Sequence, residues 1–406
     1  MENTLNTINP GDVAWLLTAS ALVLLMTPGL SFFYGGMVSR KNILSTMFQS
    51  LMAMGLISVV WVIVGFSLSF GESVGGLIGN PLTYLFFRNV GEQPNPDFSA
   101  TIPFVLFAAF QMKFAVITPA LITGAFAERV RFSAYLLFML LFSLFIYAPL
   151  AHMTWHPQGI LRTMGVLDFA GGTVVHISAG LAALAGALFL GRRKAHERKE
   201  PQVPHNIPYI LLGTGLLWFG WFGFNAGSSL AANGLAAMAF MTTNTAAATA
   251  VLVWLLVDKI QGRKPSSLNA CIAAVVGLVA ITPAAGFVSI GASFVIGAVA
   301  SIVSNLAISW RTRSDLDDTL DVFPCHGLGG MVGMALTGVF AKDVGLLSGQ
   351  TKTFLVHLIA LVAVSVFAFL GSLIIYKLVD LVCPLRVSPE EEAVGLDISQ
   401  HGETIG

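Results

Sequence analysis

Residues 168–178 read DFAGGTVVHIS, a run in which His176 stands eight positions after Asp168. The same spacing recurs downstream in DTLDVFPCH, between Asp318 and His326. Each His lies in a segment that is otherwise apolar enough to form a membrane helix. An ionisable side chain inside such a segment is costly to insert and is a functional candidate by default. We therefore interpret the rest of the chain as the scaffold that holds two buried imidazoles.

The composition indicates an all-α polytopic membrane protein. Of the 406 residues, 55% are hydrophobic and only 10% are charged, whereas soluble proteins have roughly 25% charged residues. The formal net charge is zero, so nothing suggests a nucleic-acid partner. Cys271, Cys325 and Cys383 form no C-x-x-C pair, and we expect small core residues without disulfides. The N-terminus, MENTLNTINPGDVAW, has no basic segment before its first apolar run and does not predict a cleaved signal peptide.

Apolar windows of roughly 20 residues predict eleven transmembrane helices. In chain order they cover about 12–37, 43–70, 101–126, 132–151, 172–191, 207–230, 237–258, 268–283, 287–308, 323–341 and 351–381. The eighth and ninth are separated only by ITPAAG, where Pro283 and Gly286 favour a turn.

The distribution of basic residues predicts the orientation in the membrane. An odd number of spans places the two termini on opposite sides. If the N-terminus is outside, most Lys and Arg fall on the inner side, including the run Arg192–Lys199 (RRKAHERK). The outer loops then carry Arg88, Arg162, Lys342 and Lys352. The positive-inside rule therefore predicts the N-terminus outside and the C-terminus inside. We interpret RRKAHERK as a topology signal, with docking of an acidic partner as the alternative.

The chain divides into two halves of five helices, about 12–191 and 207–341, each ending in a span with the Asp–His spacing. Because five is odd, the halves must have opposite orientations, which is typical of transporters whose substrate site lies between inverted repeats. An extra helix at about 351–381 lies outside the repeat. We assign 1–386 to one transmembrane domain and 387–406 to a polar cytoplasmic tail without a catalytic domain.

If the halves are related by an axis in the membrane plane, His176 and His326 meet near that axis. Burial disfavours a charged imidazolium, so we expect a neutral pair joined by a hydrogen bond. Such a pair can pass a proton or line a path for a small polar molecule. For either His taken alone, a bond to a backbone carbonyl is the structural alternative. Two His do not define a metal site, and a bis-His haem lacks any C-x-x-C-H support.

The two Asp residues are expected to support the ends of their helices. Asp168 is predicted to be an N-cap that also shapes the field at the outer mouth. Asp318 is expected to do the same at the inner end, although Asp317 and Asp321 compete for that assignment.

Residues 218–229 read WFGWFGFNAGSS, which indicates either close helix packing or a pore lining. As a pore lining, it offers Phe224 as a bulky gate. Ser228 lies one turn nearer the outer end, where its hydroxyl can accept a hydrogen bond from a cation or an amine.

Further aromatic residues can join this lining. Trp155 in AHMTW is either an interfacial belt residue or a cation-binding surface. Phe110 and Phe114 are four apart and share a helix face, and Phe114 is the predicted partner of Phe224 in the gate. Lys113 lies on another face, where it either snorkels to the interface or pairs with an acid.

These motifs together resemble the ammonium transporter family (Amt/Mep/Rh) over nearly the whole chain. The stretches that carry the resemblance are TPGLSFFYGGMVSRKN, GAFAERVRF, AHMTW, LDFAGGTVVHISAG, WFGWFGFNAGS, DVFPCHG and, in the tail, GLD…HGE. The first of these and the complete aromatic gate are similar to the Amt branch rather than to Rh proteins. Lys113 and the 156–167 loop are departures from the family pattern, and neither touches the residues of interest.

The resemblance implies a role for each candidate residue. It implies an outer ammonium site at Trp155 and Ser228, with Asp168 as the supporting acid. It implies a gate formed by Phe114 and Phe224, with Phe110 and Trp221 as flanking rings. It also implies a twin-His pore formed by His176 and His326. It also implies a homotrimer in the plasma membrane with one pore per subunit, no cofactor, and a PII-type regulatory protein that binds the cytoplasmic face.

We therefore expect an ammonium transporter rather than an enzyme, with methylammonium as an analogue substrate. Ammonium would be recruited outside, lose its proton past the gate, and cross as ammonia, with or without the proton. Two alternatives stay open. A sensor would bind ammonium and signal through its tail, although about 20 polar residues without a kinase or cyclase favour transport. A passive channel for ammonia or carbon dioxide is the other.

Overall fold

The computed structural model describes residues 8–405 of the chain, and its regular structure is almost entirely helical. Within these residues ten helices are long and apolar enough to cross a membrane. In chain order, with one shorter apolar helix as α8, they are α1 (Pro10–Met37), α2 (Arg40–Phe70), α3 (Phe104–Ala125), α4 (Phe132–Met164), α5 (Gly172–Leu190), α6 (Ile207–Gly227), α7 (Gly234–Ile260), α8 (Ser267–Ile281), α9 (Ile290–Arg311), α10 (Phe323–Phe340) and α11 (Thr351–Val382). The all-α, multi-pass architecture expected from the composition is confirmed.

The eighth predicted span coincides with α8, which has only 15 residues. At 1.5 Å per residue such a helix covers about 22 Å, less than the roughly 30 Å of a bilayer core. Every residue from Cys271 to Ile281 is buried, so α8 is surrounded by protein and does not have to match the lipid thickness. A count of eleven full-length spans therefore stays a prediction. Residues 1–7 and Gly406 lie outside the described residues. The prediction that no signal peptide is cleaved concerns a segment that begins in residues 1–7.

Helix α1 packs along α6 in the antiparallel direction. Near the start of α1, the Trp15 indole donates to the Ala226 carbonyl at 3.3 Å, close to the end of α6. Near the end of α1, Asn206, which caps α6, donates its backbone N–H to the Gly36 carbonyl at 3.0 Å. Between these points the backbones approach so closely that a Cβ at Gly213 would overlap the main chain of Phe33. Small residues at this contact permit the approach.

Helices α5 and α10 cross at two glycines and carry the two His residues. A Cβ on Gly180 would overlap the backbone N and Cα of Gly327. Both helices begin with a π-helical segment, Gly172–Ile177 and Phe323–Leu328. Short π segments are rare and are frequently found at functional sites. His176 and His326 lie in these segments, so the wider turn sets where each imidazole enters the bundle.

The chain has two faces at opposite ends of α1. At the first face, Thr101 and Ala232 donate to the carboxylate of Asp12 at 2.6 and 2.8 Å. The loop between α2 and α3 lies at this end and contains a small antiparallel hairpin, β1 (Ser73–Val74) and β2 (Ile78–Gly79). We call the opposite end the tail face, because the C-terminal residues dock there.

The polar tail is folded against the membrane domain. It forms two short helices, α12 (Pro389–Val394) and α13 (Leu396–His401). The carboxylate of Asp397 accepts from the backbone N–H groups of Leu44 and Ser45 at 3.1 and 2.8 Å. Lys41 Nζ donates to two carbonyls at the end of α12, at 2.9 and 2.7 Å. The sequence indicated only a polar segment, whereas the structure attaches it to the start of α2.

Replacing Gly180 by Ala should loosen the crossing of α5 and α10. Overpacking typically costs about 1–3 kcal/mol, and here the obstacle is backbone that cannot rotate away. We expect a lower thermal midpoint for Gly180→Ala than for the wild type in the same detergent. Gly215→Ala is the control, because a Cβ there meets open space and Ala favours a helix. Equal midpoints for the two variants would contradict this packing.

Candidate functional site

The predicted gate is formed by two phenylalanines whose rings are in tilted contact. Phe114 of α3 and Phe224 of α6 have ring centroids 4.2 Å apart at an angle of 40°. Phe110, one turn before Phe114, meets it edge-on at 4.9 Å. The three side chains are no more than 1% exposed. The structure thus brings together the residues that the sequence proposed for a hydrophobic constriction.

The first-face side of this gate carries Trp155 and Ser228. The Trp155 ring lies edge-on to Phe114, with centroids 6.0 Å apart. Its indole Nε1 donates to the backbone carbonyl of Asp168 at 3.1 Å, which fixes the ring. The Ser228 hydroxyl donates to the Phe224 carbonyl at 2.9 Å. Since that bond uses its only hydrogen, the Ser228 oxygen keeps its lone pairs to accept hydrogen bonds from another molecule.

Beyond the gate, the two imidazoles are in direct contact. The Nδ1 atoms of His176 and His326 are 3.3 Å apart, and the ring centroids are 5.4 Å apart. The His176 ring also stacks on Trp221 at 5.5 Å and on Phe224 at 6.0 Å. Both imidazoles are at most 3% exposed. Trp155, Phe114, Phe224, His176 and His326 therefore form one continuous column of rings from the first face inward.

A narrow cavity runs beside the His pair. It leaves about 10 Å³ in which the centre of a water-sized molecule fits. Apart from the imidazoles and the Trp221 indole, its walls are apolar side chains, among them Met26, Leu30 and Phe33. Such a space offers no charged partner to a cation.

Thr282 contacts both Trp221 and His176 and was not predicted from the sequence. Its hydroxyl lies 2.9 Å from Trp221 Nε1 and 3.2 Å from His176 Nε2. Thr282 follows α8 in ITPAAG, a stretch that the sequence indicated only as a turn. No spacing or composition signal distinguishes this Thr from other turn residues.

The two Asp residues both bond the starts of the His helices. Asp168 accepts from the backbone N–H groups of Gly171, Gly172 and Thr173 at 2.6–2.8 Å. Asp318 accepts from Val322 and Phe323 at 3.1 and 2.7 Å. The equal spacing in the sequence therefore corresponds to an equal local role at the two helix starts.

The neighbours of Asp318 have other partners on the tail face. Asp317 binds the Arg193 guanidinium through two N–H groups at 2.9 and 2.8 Å. Although burial opposes ionisation of Asp317, the bonds from Arg193 and the charge of Arg129 hold its pKa below the usual range. Arg193 also donates to Glu128 at 2.6 Å and is only 4% exposed. This member of the RRKAHERK run is thus a buried structural cation.

Lys113 stays at the margin of the site. It is half-buried, and its Nζ lies 3.9 Å from the sulfur of Met112. Within residues 8–405 no carboxylate forms an ion pair with it. The proposed acid partner is therefore not found in the described part of the chain.

The geometry of the His pair does not suit a shared haem. Two axial imidazoles bind iron from opposite sides of a porphyrin plane. The Nδ1 atoms of His176 and His326 instead face each other at 3.3 Å, which leaves no room for a macrocycle between them.

Comparison with known proteins finds one family. The profile of the Ammonium Transporter Family matches residues 14–405. The putative ammonium transporter of Methanothermobacter thermautotrophicus is 46% identical over 407 residues, which cover 98% of each chain. The ammonium transporter of Bacillus subtilis is also 46% identical, over 97% of this chain and 98% of its own.

Solved structures show the same fold. Mep2 of Saccharomyces cerevisiae superposes with a TM-score of 0.89 at 34% identity, over 95% of this chain and 89% of its own. A protein described as a sensor Amt protein superposes with a TM-score of 0.89 at 29% identity, over 99% of this chain and all of its own.

The stability of the protein should depend on the ionisation of Asp318. Burial, with the nearby charge of Asp321, raises the pKa of Asp318 from 3.8 to about 6. Because the folded state then binds the proton more tightly than the unfolded state, this group stabilises below pH 4 and loses that contribution as the pH rises through 6. We expect the thermal midpoint of the wild type, relative to Asp318→Asn, to fall between pH 4 and 6 and to level off above pH 7.

Asp315→Asn is the matched control, because the Asp315 side chain is 92% exposed. The difference in thermal midpoint between the wild type and Asp315→Asn should stay constant between pH 4 and 6. A wild-type advantage over Asp318→Asn that grows with pH would contradict the assignment.

Proposed function

The chain belongs to the ammonium transporter family, and from this premise we propose that the column of rings is its path for ammonium. It is a multi-pass protein of the plasma membrane. The observation that carries the proposal is the unbroken sequence of contacts from Trp155 through the phenylalanine gate to the His pair. The relatives are named as transporters, and we propose transport without a chemical reaction on the substrate other than proton exchange.

We propose that ammonium first binds between Trp155 and Ser228. A cation over an indole face gains up to about 2 kcal/mol when desolvated. The Ser228 oxygen accepts one N–H of the cation, because its own hydrogen is already committed to Phe224. These contacts offset part of the lost hydration before the cation reaches the gate.

The dry interior then favours loss of the proton. A bare cation in an apolar cavity without a paired charge is strongly destabilised. Ammonium can avoid that cost by releasing a proton, whereas the neutral ammonia molecule fits beside the imidazoles. Ammonia crosses along His176 and His326, and the hydrogen bond between their Nδ1 atoms is a route by which the proton can follow.

We further propose that the first face is outside and the tail face is cytoplasmic. The tail face holds Lys41, Arg193 and the docked tail, in agreement with the positive-inside rule. The antiparallel packing of α1 with α6 and the crossing of α5 with α10 pair equivalent members of the two five-helix halves. This arrangement supports an inverted repeat over about 12–191 and 207–341, with α11 outside it.

A homotrimer and a PII-type partner at the tail face complete the proposal. Membership of the family is the basis for both. The tail face also has a recess of about 1080 Å³ between the docked tail and the loops after α5 and α9, which is large enough to receive a loop of another protein.

The similarity to a sensor Amt protein favours one second candidate, an ammonium sensor that uses the same binding site. The described tail of this chain is docked on the membrane domain. Saturable uptake of methylammonium by proteoliposomes would support transport, and ammonium binding without uptake would support the sensor. A passive channel for ammonia or carbon dioxide shares the pore, and a flux that rises in proportion to the concentration without saturating would indicate it.

Removing the indole of Trp155 should weaken recruitment of the substrate. Trp155→Leu keeps apolar volume but loses the cation–π contact of up to about 2 kcal/mol, which corresponds to an increase of up to about 30-fold in the half-saturating concentration. The measurement is methylammonium uptake into proteoliposomes as a function of concentration. Trp310→Leu is the control, since this indole is 59% exposed on α9. Equal half-saturation in both variants would remove Trp155 from the site.

A further inference from the structure

The hydroxyl of Thr282 stands at a junction of three polar groups. Trp221 Nε1 lies 2.9 Å from it, His176 Nε2 lies 3.2 Å from it, and the Leu278 carbonyl lies 2.8 Å from it. The Thr282 side chain is fully buried, so all three contacts are made without bulk water. A buried polar group that lacks its hydrogen bond destabilises the folded protein. The arrangement of hydrogens that satisfies all three contacts is therefore favoured.

Only one arrangement satisfies every partner. A hydroxyl has one hydrogen to donate and two lone pairs to accept with. The indole of Trp221 can only donate, and the Leu278 carbonyl can only accept. The Thr282 hydrogen must then point to Leu278, one lone pair accepts from Trp221, and the other is left for His176. His176 therefore has to donate its own Nε2–H.

If Thr282 donated its hydrogen to His176, the Leu278 carbonyl would lose its hydrogen-bond donor. The Thr282 oxygen and the Leu278 oxygen would then face each other at 2.8 Å without a hydrogen between them. The shortest bond of the three would be lost in exchange for one at 3.2 Å. Trp221 offers no compensation, because an indole has no acceptor.

We propose that Thr282 is a positioning residue that fixes the tautomers of the His pair. With hydrogen on Nε2, the Nδ1 atom of His176 is an acceptor, and the bond at 3.3 Å requires His326 to donate its Nδ1–H. His326 is then left with an unprotonated Nε2. The result is a directed chain in which His326 donates to His176 and His176 donates to Thr282.

This inference rests on the proposed function for its consequence in transport. The directed chain makes the two imidazoles unequal, although the helices that carry them have matching starts. In His176 both ring nitrogens are engaged. His326 keeps one acceptor, which suits ammonia because ammonia carries three N–H donors. Because the hydrogens of this chain point from His326 towards Thr282, both tautomers must invert before a proton can move inward from His176 to His326.

The test is nitrogen NMR of the full-length protein in liposomes, with histidine ring nitrogens labelled by ¹⁵N. The coupling across the N–H···N bond identifies the pair, and proximity to the Trp221 indole distinguishes His176 from His326. We expect a protonated Nε2 and an unprotonated Nδ1 for His176, and the reverse for His326. The reversed pattern in the wild type would overturn the proposal without any variant.

Two variants separate the hydroxyl from packing. Thr282→Val keeps the shape but removes the acceptor, and we expect the fixed pattern to become a mixture of tautomers. Thr282→Ser keeps the hydroxyl and should retain the wild-type pattern. An unchanged pattern in a folded Thr282→Val would also overturn the proposal. Methylammonium uptake by the same wild-type liposomes is scored separately, so that a failure of transport is distinguishable from a failure of the tautomer assignment.

Discussion

Moving a bare cation from water into an apolar interior is costly, and the proposed path for ammonium must overcome that cost. An unpaired ion inside a protein is destabilised by several kcal/mol even after relaxation. The cavity beside His176 and His326 is narrow and offers no carboxylate to a cation. A path of this kind is selective because ammonium can become neutral by giving up a proton, whereas a metal ion cannot.

Two features of the helix bundle keep this interior apolar. The helices contact each other closely through glycines, and the charged groups lie at the two faces of the bundle. Glycines let α5 and α10 cross closely enough for the imidazoles to touch. Asp168 and Asp318 accept hydrogen bonds from the starts of the His helices at opposite faces, so that both carboxylates lie outside the column of rings. On the tail face, Arg193 and Asp317 neutralise each other in a buried pair. The polar groups near the pathway, such as the Thr282 hydroxyl, are neutral.

Much of this arrangement could be predicted from the sequence, because membrane helices have a strong compositional signal. Most span limits differ from the helix ends by a few residues, whereas the fourth span, predicted to end near residue 151, continues to Met164 in α4. The paired spacing of Asp168 with His176 and Asp318 with His326 pointed to two related helix starts. The phenylalanine gate followed from four-residue periodicity together with the family resemblance. Each of these features depends on local sequence or on a recurring motif.

What the sequence could not predict depends on contacts between distant segments. Thr282 lies in a short turn, and only the fold brings it to Trp221 and His176. The charge of Arg193 is apparent in RRKAHERK, but its burial against Asp317 requires a loop from the other half. The same holds for the tail, whose Asp397 bonds the start of α2 more than 350 positions away.

We propose that the path is dry and admits only a cation that can lose its charge. The most direct test measures currents and fluxes of the reconstituted protein under matched gradients of ammonium and of potassium, which has a similar size. We expect substrate flux with ammonium and none with potassium. A comparable potassium current would contradict it, because a hydrated or bare metal ion would then be passing the gate and the His pair.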